Sequence, residues 1–169
     1  MTSVLLAAVA FLAMEPVVYA YHRWVMHGFG IELHRSHHET HEDTGWEAND
    51  VYPLMSATVT VLGFGLGFNV AGLAPLVPVC IGVTVYGACY AFVHDIYIHR
   101  RLRWFTAEWR PLEGLKAAHR VHHIWHGEPY GMLFPVVPRA LRERAAEVDY
   151  DPFPDPARGS APSQVPADA

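Results

Sequence analysis

The sequence predicts an all-α integral membrane protein, with about three to four transmembrane helices and a cap of short helices rich in histidine. Three observations predict it. Apolar residues make up 51% of the 169 and charged residues only 17%, where soluble domains carry about a quarter charged. Three long apolar runs are separated by turn signals or polar stretches. Twelve histidines are interleaved with those runs rather than gathered at one end.

Residues 4–21 form the first run, close to the ~20 residues a bilayer core requires. It reads as a span and not a cleavable signal, because Met1-Thr2-Ser3 has no basic residue and no small-residue cleavage site follows. Its one charge, Glu15, precedes Pro16. An ionisable group inside a span marks a functional site or a polar contact with another helix. Glu15 stands two helical turns before His22, on the same face. Gly28, directly after His27, is a helix stop signal. Residues 28–50 are polar, and Asn49-Asp50 stands where a helix N-cap is expected; Asp50 has the alternative role of orienting a histidine.

The second run extends from 51 to about 73 and the third from about 75 to 93, with residues 71–78 as the turn between them. Gly63, Gly65, Gly67, Gly82 and Gly87 offer small faces for close helix packing, or else room for a bulky apolar substrate. Cys80 and Cys89 read as small buried hydrophobes, and two cysteines exclude a four-cysteine cluster. Residues 104–118 have interfacial character, with Trp104, Trp109, Arg110 and Lys116. Residues 116–126 predict a short helix. Residues 130–138 are apolar but too short and proline-rich to span, so they lie on the membrane or dip into it. Residues 139–148 predict a charged helix. The membrane-embedded domain is therefore 1–148, and 149–169, rich in Pro, Ala, Asp and Ser, reads as a disordered tail.

Ten of the histidines fall into two repeated patterns. His34-Arg35-Ser36-His37-His38 and His119-Arg120-Val121-His122-His123 each carry imidazoles three and four apart, which share a helix face. Each follows a pair five apart, His22/His27 and His94/His99. Three crossings deliver all four pieces to one membrane face. All twelve Lys and Arg lie in the segments on that side, so the positive-inside rule makes it cytoplasmic, in the cell membrane. Ten imidazoles are enough for two metals with about five nitrogens each. Imidazole suits iron, zinc and copper alike. Residues five apart on a regular α-helix differ by roughly 140°, so each H-x-x-x-x-H pair requires either a helix end between its members or service to two different metals. Asp95, His41 and His126 join Glu15 and Asp50 as candidates for contacts behind the metal ligands. No catalytic residue beyond the ligands is identified.

These residues resemble the membrane fatty acid hydroxylase/sterol desaturase superfamily of di-iron enzymes, over roughly residues 10–140. The resemblance rests on His22 through Gly28, His34 through Glu39, Glu47-Ala48-Asn49-Asp50, His94-Asp95 through His99, and Ala118 through His123. The Met14-Glu15-Pro16, Met26-His27-Gly28 and Asn49-Asp50-Val51-Tyr52 contexts resemble its bacterial carotenoid-hydroxylating branch. His41 and His126 are additional to the pattern. The resemblance implies two Fe2+ ions as cofactor, O2 as co-substrate and two electrons from an external donor per hydroxylation. One oxygen atom would enter a C–H bond at the 3-position of a β-ionone ring and the other leave as water, taking β-carotene through cryptoxanthin to zeaxanthin.

The sequence has no dinucleotide-binding glycine motif, so the expected partner is a ferredoxin or an NAD(P)H-linked reductase. Arg100, Arg101, Arg103, Arg110 and Lys116 form a candidate docking patch for it, or else an anchor for anionic membrane lipids. The other expected partner is a carotenoid drawn from the bilayer. A net charge of −5 disfavours nucleic acid. The rival with the same metal core is a fatty-acyl, sterol or alkane hydroxylase or desaturase. A metal transporter would require polar groups within the spans, where only Glu15 is charged, and a bis-histidine haem carrier would require a haem.

Overall fold

The apolar runs become three helices long enough to cross a membrane, and the polar segments between them become a cap at one end. The structure, a computed structural model, describes residues 1–38, 45–102 and 104–153. Among these there are six α-helices and no strand. Helix α1 (Thr2–Ala20) runs on into a π-helical stretch, Tyr21–Phe29; α2 is Ile31–His38. A 3-10 turn at Ala48–Asp50 leads into α3 (Val51–Asn69). Helix α4 (Leu76–Ala91) runs on into a second π-helical stretch, Phe92–Ile98. The cap is completed by α5 (Arg110–Trp125) and α6 (Arg139–Ala146).

Thr2–Phe29, Ala48–Asn69 and Leu76–Ile98 are the three span-length segments. Their outward faces are apolar: Leu12 is 60% exposed, Val59 70% and Leu62 62%. A contiguous apolar surface of this kind marks a lipid-facing exterior. Helix α4 packs against both α1 and α3. The approach to α1 is so close that a Cβ on Gly82 would collide with the Ala7 carbonyl, and one on Gly63 of α3 would lie 2.7 Å from Cys80 Sγ. These glycines serve packing. Gly65 and Gly87 face no neighbour within 4 Å. Cys80 is buried, as its apolar context predicts.

Boundaries shift for local reasons. Helix α3 ends at Asn69, where Val70 turns extended. Pro78 lies inside the first turn of α4 rather than in the connecting turn, a position where its missing N–H costs nothing. Helix α5 starts at Arg110, six residues ahead of the predicted 116, with Pro111 in its first turn. Residues 131–138 form no helix before α6. Residues 149–153 are described, and Tyr150 and Phe153 are buried. Arg120 holds this segment by donating to the carbonyls of Ala145 at 2.9 Å, Val148 at 2.5 Å and Tyr150 at 2.8 Å. His41, Arg103 and the remainder of the predicted tail, 154–169, lie outside the described residues.

Candidate metal centre

The two π-helical stretches answer the spacing problem that the five-residue pairs pose. In a π-helix the hydrogen bond joins residues five apart. The His99 amide donates to the His94 carbonyl at 2.9 Å, and the Gly30 amide to the Val25 carbonyl at 2.9 Å. Residues five apart therefore return to one side of the helix, which a regular α-helix does not permit. The helix breaks only after His27, at Gly28 (φ −99°, ψ −121°). His22 and His27 sit with ring centroids 5.0 Å apart, His94 and His99 with 4.6 Å.

The histidines gather into two adjoining groups in which one nitrogen per residue lies within 4.8 Å of every other: His22, His27, His34, His38 and His122, and His37, His99, His119 and His123. His94 joins the second through its Nε2, 3.0 Å from that of His37. Each half of the chain supplies most of one group and lends the other its middle triplet histidine. His34 and His38, four apart on α2, stay together, while His37 turns to the second group. His119 and His123 stay together on α5, while His122 turns to the first. Ring centroids of His38 and His123 are 4.5 Å apart, so the groups share a wall.

The outward nitrogens show why the inward ones are free to bind. Nδ1 of His22 donates to the Tyr130 carbonyl at 3.0 Å, that of His34 to Asn49 Oδ1 at 2.7 Å, and that of His122 to the Gly127 carbonyl at 2.5 Å. His94 Nδ1 meets Asp95 Oδ1 at 2.9 Å and His37 Nδ1 lies 3.5 Å from Glu47. A proton on each Nδ1 leaves a lone pair on Nε2. Across both groups the Nε2 atoms face one another: His22 to His34 at 3.1 Å, His27 to His122 at 3.1 Å, His38 to His27 at 3.2 Å, and His99 and His123 each to His119 at 3.0 Å. Lone pairs at such separations repel unless a cation lies between them. About 3 Å is also the spacing of two nitrogens held ~2.1 Å from one ion at right angles. The donor set fits a metal in each group, with outer hydrogen bonds of the kind that fix ligand tautomers.

Burial supports the same protonation state. Desolvation lowers His34 to about 4. It is also the main cause holding His37, His38, His99, His119, His122 and His123 well below the ordinary histidine value, with neighbouring imidazoles adding to it. These rings are neutral at pH 7, the form that binds metal.

The residues expected behind the ligands have varied positions. Asp95 bonds His94 as described. Asp50 does not cap α3 with its side chain; it accepts a bidentate pair from Arg101, at 2.6 and 2.8 Å, and the Glu47 amide. Asp50 thus holds the N-cap position of α3 that the sequence predicts, but without a side-chain cap, because Asn49 bonds His34 and Asp50 is occupied by Arg101. His126 ends α5 in a left-handed conformation (φ 53°), its ring 4.5 Å from that of His38 and outside both groups. Glu15 lies away from the histidines, against Tyr86 and the backbone of 132–134. Arg100 is buried rather than on a docking surface, donating to the carbonyls of Phe105 and Ala107 over the Tyr97 ring.

Sequence reasoning missed Asn49 as a histidine partner, the carbonyls of Gly127 and Tyr130, and Phe153, whose ring stacks on His119 at 5.7 Å and 8°. Asn49 was legible as a polar residue just ahead of an apolar run. The carbonyls and Phe153 left no local signal.

A profile of the fatty acid hydroxylase family matches residues 7–142. A β-carotene hydroxylase of Paracoccus sp. (strain N81106 / MBIC 01143) is 37% identical over 139 residues, 79% of this chain and 82% of that protein. One from Pseudescherichia vulneris is 33% identical over 146 residues, covering 82% and 80%. The chloroplastic β-carotene 3-hydroxylase 1 of Arabidopsis thaliana is 33% identical over 137 residues, 77% of this chain and 43% of that longer protein. No solved structure matches the chain significantly.

Proposed function

The chain belongs to the fatty acid hydroxylase family, and from that premise we propose that it is a carotenoid β-ring 3-hydroxylase, taking β-carotene through cryptoxanthin to zeaxanthin. The observation that carries the reading is the pair of adjoining histidine groups, each with its Nε2 atoms turned inward. The likeness to β-carotene hydroxylases from bacteria and a plant supports the substrate class.

The histidines that would hold the two metals, proposed as iron, are His22, His27, His34, His38 and His122 in one group, and His37, His94, His99, His119 and His123 in the other. When bound, a pair of ferrous ions supplies the reduction of O2 by two external electrons, one oxygen atom entering the C–H bond and the other leaving as water. The chain's own residues prepare that site. The outer acceptors hold His22, His34, His94 and His122 in one tautomer, so no proton need leave those rings on metal binding. Phe153 covers one side of the second group, meeting His99, His119 and His123 at 5.1, 5.7 and 5.3 Å, and excludes water from it. The spans deliver the group to the membrane surface, where the end of an apolar polyene can reach it from the hydrocarbon.

The proposed setting is the cell membrane with the histidines at the cytoplasmic face, supported by the distribution of Lys and Arg. The electrons come from a ferredoxin or an NAD(P)H-linked reductase. Arg101 is tied to Asp50 and Arg100 is buried, so a docking surface would use Arg110, which is exposed, and Lys116.

Expression in a host that accumulates β-carotene, with chromatography of the extracted pigments, tests the reading. Zeaxanthin and cryptoxanthin peaks are expected. Unchanged β-carotene, with hydroxylated or desaturated fatty acids or sterols instead, would move the assignment to that rival substrate class.

A further inference from the structure

Glu15 is the one charged residue of the first apolar run, and the sequence leaves its role open. Its two oxygens accept four hydrogen bonds. Oε1 takes the amides of Met132 at 2.9 Å and Phe134 at 3.0 Å; Oε2 takes the amide of Leu133 at 3.1 Å and the Tyr86 hydroxyl at 2.6 Å. Tyr86 is almost fully buried. Three successive backbone N–H groups therefore converge on one carboxylate, at a level roughly 10 Å down α1 from His22 by the ~1.5 Å rise per residue.

That depth explains the carboxylate. Residues 131–135 carry no helical hydrogen bonds, yet they lie against a segment long and apolar enough to span a membrane. Non-helical backbone persists at such depth only when its polar groups are satisfied by protein. A glutamate supplies acceptors on two oxygens; a glutamine supplies one acceptor oxygen and an NH2 that would face donors. The loop side is matched to it, since a Cβ on Gly131 would lie 2.6 Å from Glu15 Oε1.

The same loop is fastened to the histidines. The Tyr130 carbonyl accepts from His22 Nδ1, and the Tyr130 ring packs edge-on against His22, His27 and His122, with centroids 5.2 to 5.5 Å away. On its other side the loop is tied to α1 and the turn that follows it by Glu128, which accepts from Tyr19 at 2.6 Å and Arg23 at 3.1 Å. Tyr130 is held between these two anchors.

We propose that Glu15 is a positioning residue for the first group, that of His22, His27, His34, His38 and His122, acting through residues 130–134 to fix His22 with its Nε2 inward. The proposal rests on the reading that this group holds a metal. Loss of the Glu15 anchor frees the loop, the Tyr130 carbonyl drifts from His22, and the group loses the tautomer and direction of one nitrogen. The second group is reached only indirectly, through Met132, which packs in one apolar cluster with Phe153.

The test uses the full-length protein in detergent, loaded anaerobically with 57Fe2+ and compared by iron content and Mössbauer spectrum. His22→Ala is the reference, since it removes the inward nitrogen itself, and Glu32→Gln, an exposed site on α2, is the control. Glu15→Gln and, from the loop side, Gly131→Ala should alter the same ferrous component that His22→Ala alters, affect the other less, and weaken iron at the first group by about ten- to hundred-fold, the usual effect of an outer hydrogen-bond partner. Spectra like the control for both variants, or equal loss of both components, would overturn the positioning role. A His22→Ala protein with wild-type spectrum and iron content would overturn the metal reading itself, and this role with it.

Discussion

His99 donates its amide to the carbonyl of His94 at 2.9 Å, and that single five-residue hydrogen bond carries both imidazoles to the same side of one helix. The equivalent turn at Tyr21–Phe29 does the same for His22 and His27. π-Helical turns cost stability relative to α-helix and are concentrated at functional sites. Here the extra residue per turn is what aims two histidines at one group. Inserting an alanine after Ile96 should put the pair six apart, a spacing that neither an α-helical nor a π-helical turn returns to one side, and swing His99 out of register. The expected result is protein that stays in the membrane with about half the iron; undiminished iron content would contradict the role of the turn.

Asn49 sets His34. Its Oδ1 accepts from Nδ1 at 2.7 Å between two buried side chains. Asn49→Leu keeps the bulk and removes the acceptor, so His34 loses its fixed tautomer. Ferrous iron, measured by competition with a chelator, should bind about ten- to hundred-fold more weakly, with little change in helix content.

Arg101 joins two parts of the cap. It holds Asp50 with both guanidinium nitrogens and the Gly45 carbonyl at 2.9 Å, and it stands 4.0 Å from Asp95, the partner of His94. Asp50 is nearly buried and Arg101 is a quarter exposed. Arg101→Ala should therefore cost between the ~1 kcal/mol of an exposed pair and the ~3 kcal/mol of a buried one. Thermal unfolding in detergent should shift down by several degrees, and a change under one degree would show the pair to be ornamental.

The buried imidazoles also set a pH dependence. His34 is lowered by desolvation to about 4, while an unfolded histidine titrates near 6.5. Between those values the unfolded chain binds more protons, so stability rises with pH across the window and is lost as pH falls through it. The other cap histidines that are lowered act in the same direction. Metal-free protein should unfold at progressively lower temperature as pH drops from 7 towards 4, and loaded protein should release iron over the same range. A metal-free protein that gains stability in acid would contradict the neutral-histidine assignment.

Most of the architecture was legible. Apolar runs at 4–21, 51–73 and 75–93 mark the three spans because a bilayer demands length and composition together. Their odd number brings the histidine segments to one end. The two triplets were legible as helix faces for the same reason that His34 and His38 lie four apart. What the triplets concealed was exchange: His37 and His122 leave their neighbours because the middle position of each triplet points about a quarter-turn away, where His37 meets His94 of the second π-helical stretch and His122 meets His27 of the first. The π-turns were signalled by the awkward spacing of five, although a helix stop was the simpler expectation. Contacts made by backbone carbonyls, at Tyr130 and Gly127, have no residue-type signature. Nor does the grip of Arg120 on residues 145–150, which brings Phe153 over the second group.

Two histidine groups of this kind should hold two metals. Iron per chain, counted after anaerobic loading of the purified protein, tests it most directly, with His122→Ala and His37→Ala measured beside the wild type. Two irons per wild-type chain are expected, about one in each variant, and no hydroxylated product from either. A single iron in the wild type, or two in both variants with product formation intact, would contradict it.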